Sequence, residues 1–179
     1  MEEIMKSTER KYEGKIISVR LDQVVLQNDK VTYREICEHP GGVAVLPLDD
    51  DMNVTLVRQF RYAFGKILTE IPAGKLDHGP ESVLDCGKRE LLEETGLTAD
   101  EFIDLGAVYP SVGFLDEVIH LYLARGLHQG EACPDENEFV DCVKIPLKKL
   151  CEMAMNNEIE DAKTLIAVLK TKMIIDSEK

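Results

Sequence analysis

The sequence predicts an α/β domain preceded by a small N-terminal antiparallel β-sheet. Three observations carry this. Short β-rich runs bounded by turn residues fill most of the chain, one helix with clear start and stop signals sits in the middle, and two further helical segments close it. At 179 residues the chain is long enough to bury a proper core as one main domain.

Residues Gly14 to Cys37 alternate apolar and polar, and Gln27-Asn28-Asp29-Lys30 divides them into two β-runs, a hairpin or small sheet. His39-Pro40-Gly41-Gly42 breaks the chain, which sets a β extension at 1–40 and the main domain at 41–179. Gly42 to Leu48 and Val54 to Phe60, joined by the acidic turn 49–53, read as adjacent strands of a hairpin. Ile67 to Ile71 is a third strand, ended by Pro72. The middle helix starts near Pro80. Gly79 or a neighbour caps it, and Glu81 and Asp85 suit its positive end. It stops at Gly96, a natural left-handed cap, with Leu97 folding back on Leu92 as in a Schellman motif. Strands follow at Ile103 to Tyr109, Val118 to Ala124 and Phe139 to Ile145. Leu147 to Met155 and Ala162 to Ile175 are helices, the second capped by Asp161.

A net charge of −13 argues against nucleic-acid or anionic-membrane partners, and no apolar run reaches the roughly 20 residues of a membrane span. The N-terminus lacks the apolar stretch of a signal peptide. Five cysteines without a C-x-x-C pair read as reduced thiols of a cytoplasmic protein.

The chemistry concentrates in Arg89-Glu90-Leu91-Leu92-Glu93-Glu94-Thr95-Gly96-Leu97, which packs three carboxylates into the end of one short helix. A helix C-terminus carries partial negative charge and like charges four residues apart repel, so something must compensate. A divalent cation is the simplest candidate. Glu90 and Glu94 are one turn apart and share a face with Gly87 and Val83, whereas Arg89 and Glu93 share another.

From Glu81 onward the segment resembles the Nudix box, G-x5-E-x7-R-E-U-x-E-E-x-G-U, with U a bulky aliphatic residue. One departure precedes it: six residues rather than five separate Gly74 from Glu81. The resemblance implies an α/β/α sandwich with a mixed sheet, and hydrolysis of a nucleoside diphosphate linked to another group. It implies Mg²⁺ as cofactor, with Mn²⁺ as a substitute. Glu90, Glu94 and the Ala73 carbonyl would be ligands, Glu93 would ligate or position a water, and Arg89 and Glu81 would brace the loop and helix.

Three further segments are similar to the ADP-ribose pyrophosphatase branch: Val57 to Tyr62, Glu70 to Lys75, and the loop Tyr109-Pro110-Ser111-Val112-Gly113-Phe114-Leu115-Asp116-Glu117, where Val112 replaces a usual Pro. Arg58 and Arg61 each read as a solvated edge-strand charge, which is expected for one of them, but as a pair they suit a phosphate clamp in so acidic a chain. Glu70 either pairs with Lys66 or, by the resemblance, lies near the nucleobase or a metal, and Glu117 joins the substrate-binding set. Tyr62, Phe64 and Tyr109 read as core or rim aromatics. The resemblance also points to the acidic loop 134–139, where Glu138, with Glu136 as its rival, would bind a metal or take the proton from the attacking water. Asp161-Ala162-Lys163-Thr164 resembles a family motif and reads as capping and packing.

The expectation is therefore Mg²⁺-dependent cleavage of ADP-ribose to AMP and ribose 5-phosphate. The alternatives are another nucleoside diphosphate sugar such as GDP-mannose, and a non-catalytic nucleotide-sugar-binding domain. The family precedent adds a homodimer whose 1–40 extension crosses the interface and helps build the pocket.

Overall fold

The computed structural model describes residues 2–76, 79–132 and 140–178. The chain divides into two units, Met1–Gly41 with Tyr109–Val118, and Gly42–Val108 with Ile119–Lys179.

The first unit is a three-stranded antiparallel meander of β1 (Ile4–Glu13), β2 (Ser18–Val25) and β3 (Val31–Glu38), in that order. The β2–β3 turn falls where the sequence places it, with Asp29 at a φ of 60° and the Lys30 amide donating to the Asn28 side chain. The strand β1 is an addition to the sequence reading, which begins at Gly14. All ten of its residues are exposed, so no buried face imposes an alternation to read. Tyr109–Val118 docks on the end of β3: the Cys37 amide donates to the Phe114 carbonyl, and Asp116 accepts from the His39 amide at 2.8 Å.

The second unit holds β4 (Gly42–Pro47), β5 (Asn53–Arg61), β6 (Lys66–Glu70), β7 (Ala73–Lys75), β8 (Leu97–Val108), β9 (Ile119–Gln129) and β10 (Asp141–Pro146). Its helices are α1 (Val83–Thr95), α2 (Leu147–Met155) and α3 (Ala162–Ser177). A mixed sheet runs β7-β4-β9-β8, with β4 and β9 parallel, and a second sheet runs β10-β5-β6. Every residue of β4 is buried because it is covered on both faces. Val43 and Val45 face α1 across Gly87, while Ala44, Leu46 and Leu48 join the cluster made with Leu147, Leu150, Ala167 and Val168 of α2 and α3.

This layering corrects the expected hairpin. Strands β4 and β5 belong to different sheets, and only an isolated bridge, Leu48 with Val54, links their ends. A strand buried on both faces accepts a parallel partner, and β9 takes that place.

Helix α1 starts later than expected. Ser82, not Gly79, is the N-cap: its hydroxyl accepts from the Asp85 amide at 3.1 Å and donates to the Asp85 carboxylate at 2.7 Å. Ser82→Ala should cost about 1 kcal/mol in a denaturant titration. At the other end Gly96 has a φ of 71° and its amide donates to the Leu92 carbonyl. The Leu97 amide is taken by a side chain rather than by a helix carbonyl. Thr95 instead bridges the exit, its hydroxyl donating to the Leu91 carbonyl and accepting from the Leu97 amide, and Leu97 packs with Leu91, Val45 and Ala124. Asp161 caps α3 as expected, accepting from the Thr164 amide at 3.0 Å.

Candidate functional site

The second unit gathers Ala73, Gly74, Glu81, Arg89, Glu90, Glu93 and Glu94 around one end of α1. Strand β7 pairs with β4, which is packed under α1, so the backbone of Ala73 and Gly74 is laid beside the helix's carboxylate face. Glu90 and Glu94 are 8% and 5% exposed, an environment that carboxylates enter only with compensation. The Ala73 amide donates to Glu94 Oε2 at 3.0 Å. Gly74 lies directly under Glu90, and a Cβ there would occupy the place of the carboxyl group.

Part of the compensation expected from a metal is supplied by the protein itself. Arg89 Nη1 lies 2.7 Å from Glu93 and 2.8 Å from Glu90, and its Nε reaches Glu81 at 3.3 Å. Burial works against the Arg89 charge, but Glu81, Glu90 and Glu93 together raise its pKa. Arg89 also donates to the Cys86 sulfur at 3.3 Å, and that thiol donates in turn to the Lys75 carbonyl. Burial, opposed by Arg89 and reinforced by Glu90 and Glu81, pushes Cys86 up to about 11, so it stays a thiol.

Among the described residues no three His, Cys, Asp or Glu side chains converge into a ready-made metal cage. The donor set nevertheless fits Mg²⁺. That ion takes hard oxygen ligands and is held by one or two carboxylates together with substrate phosphates, rather than by an all-protein cage. Two buried carboxylates beside a side-chain-free backbone meet that description.

A second network lies just upstream of Ala73. Glu70, 2% exposed, accepts from Arg61 Nε and Nη2, both at 2.7 Å, and from Lys163 Nζ at 2.5 Å. Lys163 also reaches Asp161 at 3.0 Å, and the Thr164 hydroxyl accepts from the Ile71 amide. The expected Glu70–Lys66 pair is not made, because Lys66 bonds Glu160. Burial would push the Glu70 carboxyl up, but the Arg61 hydrogen bonds and the Lys163 charge outweigh it and hold it at about 2. Those hydrogen bonds also keep Arg61 protonated against its burial, with the charges of Glu94 and Asp161 adding to them.

The Glu70 value lies below its ordinary 4.5. It therefore contributes stability that is complete above pH ~4.5 and is lost as pH falls through ~2, about 3 kcal/mol in all. Wild type should lose its advantage over Glu70→Gln across that window in thermal melts. A gap that did not change with pH would contradict this.

Strand alternation puts Arg58 on the opposite face of β5 from Arg61, so the two do not form one clamp. Arg58 is exposed and 3.6 Å from Asp141. Tyr62, Phe64 and Tyr109 are exposed, which removes the core reading. Glu117 belongs to the first unit, where its Oε1 lies 3.3 Å from His39 Nδ1, a nitrogen that the Gly41 amide also faces at 3.1 Å. Glu136 and Glu138 lie outside the described residues. Lys163 is what sequence reasoning missed. Its segment resembles a family motif but read as capping and packing, and nothing local pointed to the glutamate it holds 93 residues away.

Residues 38–168 match the NUDIX domain family model. The chain is 38% identical to the ADP-ribose pyrophosphatase of Bacillus subtilis (strain 168), over 100% of this chain and 98% of that protein. It is 39% identical to the methanol dehydrogenase activator of Bacillus methanolicus, over 93% and 91%. A crystal structure of an ADP compounds hydrolase superposes with a TM-score of 0.87 at 19% identity, covering 99% of this chain and 96% of that one.

Proposed function

Because this chain belongs to the Nudix family of hydrolases, we propose that it cleaves the pyrophosphate bond of ADP-ribose with Mg²⁺, releasing AMP and ribose 5-phosphate. The observation that supports this most is the pair of buried carboxylates, Glu90 and Glu94, set over Gly74 and Ala73. Glu90, Glu94 and the Ala73 carbonyl would hold the cation. When bound, that cation neutralises the diphosphate and acidifies the attacking water. Mn²⁺ substitutes for Mg²⁺ on the same hard ligands.

Around that centre Arg89 fixes the headings of Glu90 and Glu93, and Glu93 orients the water. Arg61 carries positive charge toward the diphosphate, Glu70 holds it until substrate arrives, and Arg58 and Glu117 contribute to substrate binding. Glu138, or its rival Glu136, would take the proton from the water or bind the metal. A base of ordinary carboxylate strength suffices once the water is acidified.

A panel of nucleoside diphosphate sugars with Mg²⁺ tests the substrate. Release of AMP from ADP-ribose supports the reading, whereas GMP from GDP-mannose at a higher kcat/KM replaces it. Binding without turnover at millimolar Mg²⁺ marks a non-catalytic domain, and is also the outcome expected if the chain acts only as an activator of another enzyme.

The protein works as a homodimer in the cytoplasm. The exposed Ile4, Met5 and Tyr12 on β1 support a dimer interface made by the 1–40 extension. The free thiols of Cys37, Cys86, Cys142 and Cys151 suit a reducing compartment, and the acidic surface disfavours nucleic acid and membranes. Light scattering should give twice the chain mass at micromolar concentration, and a fully active monomer would refute the dimer.

A further inference from the structure

Glu70 is one buried carboxylate held by two cations, and the two are not equivalent. The Lys163 side chain is 10% exposed and lies inside, held also by Asp161 at the start of α3. The Arg61 side chain is 40% exposed, presents two of its nitrogens to Glu70, and is close enough to Glu94 to feel its charge. A carboxylate buried this deeply needs a counter-ion at all times, because an unpaired buried charge is strongly destabilising. If Arg61 alone served it, turning the guanidinium toward an anionic ligand would strand Glu70. With Lys163 in place the carboxylate stays neutralised and Arg61 is free to turn.

We propose that Lys163 is a positioning residue for diphosphate capture: it shares Glu70 so that Arg61 can engage the substrate's phosphates. The inference rests on the pyrophosphatase reading above and deepens it. Lys163 acts wholly through Glu70, and this gives it a signature distinct from that of a packing residue. Its importance must vanish when Glu70 carries no charge.

The test is a double-substitution cycle on the full chain with Lys163→Met, Glu70→Gln and the two combined. Each protein is assayed for KM and kcat on ADP-ribose with Mg²⁺, and by calorimetry for ADP-ribose affinity in EDTA, where no turnover occurs. Lys163→Met should raise KM about tenfold and weaken metal-free binding to match, with kcat changed less than about threefold, the pattern of lost ground-state binding. In the Glu70→Gln background the same substitution should change KM less than about twofold. Should Lys163→Met alone fail to fold, the comparison of Glu70→Gln with the double variant decides. Equal KM supports the proposal and a tenfold loss overturns it. A wild-type-like KM for Lys163→Met, or the same penalty in both backgrounds, also overturns it while leaving the pyrophosphatase reading intact. Wild-type protein that neither binds nor cleaves ADP-ribose would sink the substrate reading, and the proposal with it.

Discussion

Glu90→Gln and Glu94→Gln should each lower the Mg²⁺-dependent hydrolysis rate by about 10²–10³-fold, the cost of removing one preorganised charge-stabilising group. Glutamine preserves volume and one acceptor oxygen, so the change isolates the charge. Both side chains are buried, four residues apart on α1. Like charges at that spacing repel, and neutralising one relieves the pair. The thermal midpoint of either variant should therefore stay within a few degrees of wild type while activity collapses. Equal loss of stability and activity would instead mean that the carboxylates serve the fold. A rate within twofold of wild type would remove them from the metal centre.

Gly74→Ala should be nearly as damaging, by a different route. Its Cβ would fall on the Glu90 carboxyl group, so the carboxylate must leave its place or β7 must part from β4. Overpacking of this kind costs about 1–3 kcal/mol. A shift of about 1 Å in a catalytic group can cost about 10²-fold in rate. Gly87→Ala offers a graded comparison on the same helix. Its Cβ would meet Val43 and Val45 methyl groups at 3.0 and 3.2 Å, side chains that can turn aside, so its effect on rate should be much smaller. Should Gly74→Ala keep full activity, the close approach of backbone and carboxylate would have no catalytic meaning.

The carboxylate helix was legible in the sequence because helical periodicity alone puts Glu90 and Glu94 on one face with Gly87. Its exit was half legible. Gly96 announces the stop, but the packing of Leu97 on Leu91, Val45 and Ala124 depends on which face the sheet covers. Ser82-Val83-Leu84-Asp85 carries a capping signal at the entrance, in competition with the helix-start signal of Pro80. Strand β1 was invisible, since burial writes the alternation and β1 buries nothing. The separation of β4 from β5 was equally hidden. Alternation places a strand's faces but does not choose its neighbours, and the parallel partner of β4 comes from 119–129. The buried Glu70 cluster shows the same limit: local reading offered Lys66, four residues away, while the fold brought Lys163 from α3.

The chemistry proposed for this chain is one event, cation-dependent cleavage of a diphosphate. It is tested most directly by incubating the protein with ADP-ribose at millimolar Mg²⁺ and separating the products. The expected result is AMP and ribose 5-phosphate in equal amounts, formation of both ceasing on addition of EDTA. Intact ADP-ribose after prolonged incubation, or AMP release that continues undiminished in EDTA, would contradict it.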